Sequence, residues 1–261
     1  MSHKQTITLT YGDVAENHVG MIKHGTLADR GLTGAQLMAV HKHMEPHSEL
    51  IALHTVPEHP EAFLLIIRGG VNLLLDGQYD QLLKEQSDLE PDKKALMRGR
   101  VVNKKARHNL CFSEQAQEPD YAAGKGTVIA FESVPLTFRL KTVFEKLLGL
   151  ESLQCEGNYY YDVTLPNVGV GNHGDVERRV VIGVRLGRSM PIRFTWFHKF
   201  SPVSEPTTVM LDGGDIYMMS EKATGYDWHR SSILTLRHCA GSMEFLEQEE
   251  RRIKTKIQKR K

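Results

Sequence analysis

His173 and Asp175 flank a single glycine in the sequence Asn172-His173-Gly174-Asp175. Successive side chains of a β-strand point to opposite faces, so residues two positions apart share a face. An imidazole and a carboxylate on one face supply two ligands of the 2-His-1-carboxylate facial triad, which holds non-haem Fe(II) and leaves positions open for other ligands. The pair therefore predicts a metal site that one further histidine completes. The alternative is an ordinary polar turn, because such triplets also occur by chance.

The segments after this pair favour a β-rich setting. Runs of β-branched and aromatic residues recur at intervals of roughly ten residues, as in barrels and sandwiches. The predicted strands are 178–187, 191–199, 208–211, 216–219 and 233–239. A Gly213-Gly214-Asp215 turn joins the third and fourth of these, which predicts a hairpin. The C-terminal half is therefore expected to form a β-barrel or jelly roll.

The order of these features resembles the AlkB family of nucleic-acid oxidative demethylases, within the 2-oxoglutarate-dependent oxygenases. The shared features are HGD, a strand ending in VRLG, the segment VMLDGGDIYMMS, a Trp228-His229 pair and a terminal LTLR. They cover the C-terminal third of the chain, with weaker similarity from Arg107 onward. The resemblance implies an α+β, mainly β fold: a double-stranded β-helix (jelly roll) with supporting helices and an N-terminal extension. It also implies a dioxygenase that uses Fe(II), 2-oxoglutarate and O2.

The resemblance assigns roles to particular residues. His173 and Asp175 would ligate iron, and Arg237 would pair with a carboxylate of 2-oxoglutarate, which a planar guanidinium binds through two parallel hydrogen bonds. His229 matches the position of the second iron-binding histidine and is the preferred candidate. His238 is the alternative, but it adjoins Arg237, and neighbours on a strand face opposite sides unless a bulge intervenes.

The cosubstrate pocket is expected to differ from the family pattern. Ser231 stands where the family carries a second arginine, and Ile233 stands where it carries an asparagine. Alternation within Tyr159-Tyr160-Tyr161 places the first and third tyrosines on one face. Tyr161 is the candidate to line the cosubstrate pocket, although tyrosines in sheets more often serve packing.

The N-terminal half contains fewer functional signals. We predict residues 1–125 to be an N-terminal extension or substrate lid packed on the core, and residues 126–261 to be the catalytic core with a basic C-terminal helix.

A Thr33–Gln36 capping box predicts a helix to about Met44. Apolar spacing from Leu140 to Leu148 predicts a second helix, which ends at Gly149. The segment 62–75 is apolar enough for a buried element, and Gly69-Gly70 interrupts it.

Composition limits the partners. The net charge of +1 gives no global field toward nucleic acid, so such contacts must come from local patches. Candidates are the basic run 98–107, which is either a phosphate-binding rim or a solvated loop, and the basic tail 251–261.

Three dispersed cysteines fit a reducing compartment. No apolar run of about 18 residues predicts a membrane span. We expect a soluble, intracellular monomer in the cytoplasm or nucleus.

Three functions are compatible with these observations. The first is AlkB-like oxidative demethylation of a nucleobase in DNA or RNA. The second keeps the same chemistry but acts on a small molecule, a nucleotide or a protein side chain. The third is a non-enzymatic nucleic-acid-binding module that uses the basic run and the tail.

Overall fold

A computed structural model of the chain describes residues 4–54 and 58–258. Its strands are β1 Thr6–Gly12, β2 Val14–Glu16, β3 Lys23–Gly25, β4 Ser48–Ala52, β5 Phe63–Ile67, β6 Lys94–Met97, β7 Arg100–Asn103, β8 His108–Ser113, β9 Val128–Ala130, β10 Gln154–Tyr160, β11 Gly169–His173, β12 Val181–Gly187, β13 Met190–His198, β14 Ser201–Pro202, β15 Thr207–Leu211, β16 Ile216–Met219 and β17 Thr235–Gly241. Its α-helices are α1 Gly34–Met44, α2 Gly70–Leu74, α3 Tyr79–Ser87, α4 Pro135–Leu148, α5 Glu221–Thr224 and α6 Met243–Gln258. None of these helices combines the length and hydropathy required to span a bilayer.

Two large sheets dominate the described residues. The larger has eight strands in the order β4-β5-β16-β12-β1-β10-β8-β9, all antiparallel except the β8–β9 pair. The smaller is a curled sheet in which β17 lies between β11 and β13, and β13 also pairs with β14 and β15. Apolar side chains from both sheets meet between them, among them Leu64 and Met219 from the larger, and Ile192 and Trp196 from the smaller. The protein is therefore mainly β, as predicted.

Helices cover the outer face of the larger sheet. Leu140 and Phe144 of α4 pack with Leu37 of α1 and Leu82 of α3 against apolar side chains of the sheet. The predicted helix ends are confirmed. The side chain of Thr33 accepts from the Gln36 amide, and the Gln36 side chain accepts from the Thr33 amide in return. Gly149, with φ of 65°, ends α4.

The N-terminal strand β1 lies inside the larger sheet, between β10 and β12. Its residues alternate: Ile7, Leu9 and Tyr11 join the core under the helices, while Thr8 and Thr10 face the cavity between the sheets. Strands β4, β5 and β8 also come from residues 1–125 and belong to this same sheet. The predicted division at residue 125 therefore runs through one sheet. Pairing between strands so far apart in the chain leaves no local trace in the sequence.

The predicted hairpin between residues 208 and 219 is wrong. Both of its strands exist, but β15 pairs with β13 in the smaller sheet, whereas β16 pairs with β12 and β5 in the larger one. The Gly213-Gly214 turn, with φ of 98° at Gly214, carries the chain from one sheet to the other. A glycine-rich turn predicts that the chain changes direction, but it does not predict which strands pair with the two strands that flank it.

The central position of β1 has a measurable consequence for stability. Leu9 is fully buried, so we expect Leu9→Ala to lower the free energy of unfolding by about 2–5 kcal/mol, as large-to-small core substitutions do. Leu27, 47% exposed in the same N-terminal segment, is the matched control, and Leu27→Ala should change stability by less than about 0.5 kcal/mol. Urea unfolding monitored by tryptophan fluorescence measures both. A Leu9→Ala protein with wild-type stability would contradict this placement of β1.

Candidate metal centre

Three side chains converge at one end of the cavity between the sheets. One ligand atom from each of His173, Asp175 and His238 lies within 4.8 Å of the others. Nε2 of His173 is 3.3 Å from Oδ1 of Asp175, and Nε2 of His238 is 3.8 Å from the same oxygen. The two imidazole rings are 4.4 Å apart, centroid to centroid. Two imidazoles and a carboxylate form the donor set of the 2-His-1-carboxylate triad.

Strand pairing brings these side chains together. His173, the last residue of β11, lies opposite His238 of β17, and a register shift between Val170 and His173 accommodates one extra residue in β11. Such a bulge re-aims the side chains that follow it. Gly174 then lets the turn at Gly225 approach closely, because a Cβ on Gly174 would lie 2.0 Å from the Gly225 carbonyl oxygen. The Asp175 amide donates to Thr224 in the same region, at 2.9 Å.

Hydrogen bonds orient His173 for metal binding. Its Nδ1 donates to the carbonyl oxygens of Gly171, at 2.8 Å, and His238, at 3.1 Å. Because both partners are acceptors, Nδ1 carries a proton, and Nε2, which faces Asp175, is the nitrogen that can ligate a metal once its own proton has left. A backbone partner on the distal nitrogen is the usual arrangement for a metal-binding histidine.

The two histidines differ electrostatically. Burial acts to lower the pKa of His173, but the hydrogen bond to Asp175 and that carboxylate's charge outweigh it and raise this pKa above its ordinary value. The same interactions hold the pKa of Asp175 well below its usual range, against the opposing effect of burial. Burial and the charge of His173 lower the pKa of His238 to about 4. His238 is therefore neutral at physiological pH, as a metal ligand must be.

Of the two alternatives for the second histidine, the structure brings His238 to the pair and leaves His229 apart. His229 is exposed at the rim of the cavity, with its ring 4.1 Å from that of Trp228. His238 points inward because Leu236, His238 and Ala240 of β17 share the face toward the other sheet. The geometry therefore favours His238, in contrast to the preference drawn from the resemblance.

The same alternation turns Arg237 away from the cavity. Its guanidinium lies over the Phe197 ring at 4.1 Å and near the rings of Trp228, at 5.0 Å, and Phe200, at 5.5 Å. Nη2 donates to the Trp228 carbonyl at 3.4 Å, and burial lowers the pKa of Arg237 to about 10. Arg237 thus does not line the described cavity, which removes the geometric basis for its expected cosubstrate role.

Tyr161 also lies elsewhere. Its hydroxyl donates to the Lys105 carbonyl at 2.7 Å, and its ring stacks on His108 at 5.4 Å. The cavity is lined instead by Tyr160, whose side chain points to the opposite face of the same segment. The sequence pattern identified the tyrosine cluster but not which tyrosine faces the cavity, because packing between the two sheets decides which face of the strand points inward.

The triad opens into a cavity of about 550 Å³. The larger sheet supplies its polar floor, and residues 16–21 and 23 line one side. On the floor, Glu156 accepts from Nη2 of Arg178 at 2.5 Å and from Asn158 at 3.1 Å. Asn158 in turn accepts from Nε of Arg107 at 2.5 Å. This network fixes the floor through hydrogen bonds between its own side chains.

The basic run 98–107 divides into two parts. Lys104 donates to Asn17 at 2.6 Å and to Asn109 at 2.9 Å, and burial lowers its pKa to about 8. Arg107 lines the cavity, whereas Arg98, Arg100 and Lys105 are exposed. Two of the basic residues thus serve the interior. Of the predicted basic tail, residues 259–261 lie outside the described residues.

Sequence inspection missed Arg185 of β12. It lines the same cavity as the triad and is 1% exposed. The available signal was a lone arginine within the apolar run Val180-Val181-Ile182-Gly183-Val184-Arg185-Leu186, since a strand buried on both faces rarely admits a charge without a role.

Comparison with known proteins relates the chain to a viral sequence. "Uncharacterized protein R156" of Acanthamoeba polyphaga mimivirus is 44% identical over 252 residues, which cover 93% of this chain and 98% of that protein. The chain belongs to the family of this viral protein. No protein-family model matches the chain. Because the similarity covers nearly the whole chain, it extends well beyond the metal-centre half into the N-terminal half.

The triad predicts which substitutions abolish metal binding. His173→Ala, Asp175→Ala and His238→Ala should each weaken Mn²⁺ binding by more than about 100-fold, because loss of even an outer-shell partner costs about 10- to 100-fold. His229→Ala is the matched histidine control and should bind Mn²⁺ with wild-type affinity. Isothermal titration calorimetry measures all four variants. Loss of binding in His229→Ala with retention in His238→Ala would reverse the ligand assignment.

The raised pKa of His173 predicts proton release on metal binding. A metal-binding histidine must be neutral, so at pH values where the raised pKa keeps His173 protonated, the ion must displace its proton. Mn²⁺ affinity should therefore increase with pH until His173 is deprotonated and level off above that point. Calorimetry at pH 6.5, the ordinary histidine pKa, in buffers of different ionisation enthalpy should find more than about half a proton released per ion. Release of less than half a proton per ion at this pH would contradict the raised pKa.

Proposed function

We propose that this protein is an Fe(II)- and 2-oxoglutarate-dependent oxygenase that oxidises a C–H bond of its substrate. The observation that carries this proposal is the convergence of His173, Asp175 and His238 at the end of a polar cavity. Together with the resemblance of the HGD-to-LTLR segment to the AlkB family, this donor set favours non-haem iron over other divalent ions.

The topology supports a double-stranded β-helix. Strands β10, β11, β12 and β13 alternate between the larger and the smaller sheet, and β15, β16 and β17 cross between the sheets twice more. A jelly roll has eight strands, so these seven strands leave one position to be filled. We infer that β1 fills the eighth position, because it lies in the larger sheet between β10 and β12. The winding then closes with a strand from the opposite end of the chain.

The residues present fit an iron centre. The proton on Nδ1 leaves Nε2 of His173 free to ligate, and the low pKa keeps His238 neutral. His238 Nδ1 is buried without a hydrogen-bond partner in the described structure, so a ligated ion would help to offset the cost of burying this ring. Bound iron and 2-oxoglutarate supply the oxidation of a C–H bond by O2, with decarboxylation of the 2-oxo acid to succinate.

The protein's own residues would position the substrate and exclude water. Glu156 and Asn158 present polar atoms on the cavity floor, and Trp228 contributes an aromatic wall at its mouth. Residues 16–21 line one side of the cavity, and Asn17 anchors this segment by donating to Asp92 at 2.7 Å. An aromatic wall and a hydrogen-bonding floor suit a flat, polar group such as a nucleobase that has been flipped out of its stack.

We propose a nucleobase as the reacting group, with demethylation following when the oxidised carbon is an N-methyl. The alternative substrate is a small molecule, a nucleotide or a protein side chain. A specific observation favours this alternative: Lys104 and Arg107 bond to interior asparagines, which leaves fewer basic groups of the run for phosphates. Salt dependence separates the two, since oligonucleotide binding weakens steeply as salt rises.

The direct test is succinate formation from 2-oxoglutarate with Fe(II) and O2. Methylated oligonucleotides should stimulate turnover above the uncoupled rate, and formaldehyde should appear with succinate. Asp175→Ala should lower both products by more than about 100-fold, because it removes a ligand to the metal. Oligonucleotide binding that survives in Asp175→Ala, without succinate from the wild-type protein, would instead support a non-enzymatic binding module.

A further inference from the structure

Strand β12 buries a guanidinium without an anionic partner. Arg185 is 1% exposed, and Nη1 donates to Oγ1 of Thr8 at 2.6 Å. Its Nε has no hydrogen-bond partner, and no carboxylate of the described residues forms an ion pair with it. Burial lowers the pKa of Arg185. Burying a charge without an opposite charge beside it is unfavourable. A buried, unpaired arginine at this position therefore suggests that its charge has a function.

The neighbouring acids are engaged elsewhere. Asp215 influences Arg185 electrostatically, but its carboxylate accepts from Arg68 at 2.7 Å and from the amides of Gly69 and Asp212. On the cavity floor, Glu156 is paired with Arg178. Arg178 is the useful comparison: it is equally buried in the same cavity, yet two glutamates neutralise it. Arg107 also lacks a carboxylate partner but is only half-buried, so Arg185 is the fully buried arginine of this cavity that has no ion pair among the described residues.

Hydroxyl groups line the cavity together with this guanidinium. Thr8, Tyr160 and Tyr217 line the cavity with it, and within the described residues neither phenol donates or accepts a hydrogen bond. The Tyr217 ring lies over Gly183, where a Cβ would be 2.0 Å from Cζ and 2.4 Å from the hydroxyl oxygen. Gly183 and Arg185 share a face of β12. The missing side chain at residue 183 thus makes room for a hydroxyl on the Arg185 side of the strand.

We propose that Arg185, with Thr8, Tyr160 and Tyr217, binds one carboxylate of a dicarboxylate whose other end extends toward the metal centre. The guanidinium supplies unpaired donors in a fixed plane, which a carboxylate matches, and the hydroxyls donate to its remaining lone pairs. This inference rests on the proposed function only for the identity of the ligand, a 2-oxo dicarboxylate. The burial and the missing anion are properties of the chain itself.

Arg237 is the competing candidate and the matched control. It also has an Nε without a partner, but it lies among Phe197, Phe200 and Trp228, outside the cavity that the triad lines. Aromatic faces stabilise its charge through cation–π contact. Among the described residues Arg185 has no such contact, and the Thr8 hydroxyl is its one side-chain hydrogen-bond partner.

The experiment measures binding rather than turnover. Metal-free and Mn²⁺-loaded proteins are titrated calorimetrically with succinate, glutarate, 2-oxoglutarate and acetate. We expect the dicarboxylates to bind and acetate not to bind. Arg185→Met should weaken dicarboxylate binding by roughly 10- to 100-fold, as loss of hydrogen bonds between charged groups does. Tyr217→Phe should weaken it by about 2- to 10-fold, and Arg237→Met should leave it unchanged.

Thermal unfolding without ligand distinguishes a binding role from a structural one. Replacing an unpaired buried charge by an apolar side chain of similar volume is often neutral or stabilising, so Arg185→Met should match or exceed the wild-type Tm. A lower Tm in Arg185→Met, with an unchanged dicarboxylate affinity in Tyr217→Phe, would mean that Arg185 serves the fold through Thr8. That result would overturn the proposal.

Other results are equally decisive. Wild-type affinity in Arg185→Met, loss of binding in Arg237→Met alone, or acetate binding as tightly as succinate would each overturn the proposal. Failure of the proposed function looks different: metal-free protein would still bind dicarboxylates through Arg185, while Mn²⁺ would not strengthen 2-oxoglutarate binding and no succinate would form. That outcome would leave a dicarboxylate site without the oxygenase.

Discussion

The pairing of β11 with β17 is the constraint on which the candidate site depends. Side chains alternate along a strand, so a slip of one residue exchanges the two faces of β17. His238 would then leave the cavity and Arg237 would enter it. The register is held on both sides: β13 pairs with β17 along six residues, and the bulge before His173 absorbs the extra residue of β11. Packing of Phe194 and Leu236 into the core between the sheets therefore decides which side chain faces Asp175.

The larger sheet distributes its polar and apolar side chains for a related reason. Helices bury its outer face, so the polar residues of β1, β10 and β12 have only the cavity to face. In β1 the alternation of leucine with threonine matches this arrangement, and Thr8 meets Arg185 across the strand pair. The cavity thus carries the Asp175 carboxylate at the triad and the Arg185 guanidinium on its floor. Asp175 follows β11 of the smaller sheet and Arg185 belongs to β12 of the larger sheet, and among the described residues no ion pair joins them.

The segment that covers the cavity is tied to its floor by polar contacts. Asn17 accepts from Lys104 and donates to Asp92, while Asn109 links Lys104 to Asn158. Buried polar groups are stabilising when each finds a partner, and these contacts connect residues that are up to 87 positions apart. The protein's own side chains therefore hold this segment in place, and the mouth of the cavity is left to Trp228 and His229.

Local patterns sufficed where the physical cause was local. The capping box of α1, the apolar stripe of α4 and the β-branched runs of β12, β13 and β17 were all readable from neighbouring residues. The two-residue period of a strand predicted the pairing of His173 with Asp175; the two side chains do meet, but β11 ends at His173 and Asp175 lies beyond it. Tertiary structure alone decided the rest: the choice of His238 over His229, of Tyr160 over Tyr161, the place of β1 in the sheet and the unpaired charge of Arg185. Each of these depends on which face of a strand is buried and on which distant strand lies beside it, and both are fixed by packing between sheets rather than by the order of residues within one strand.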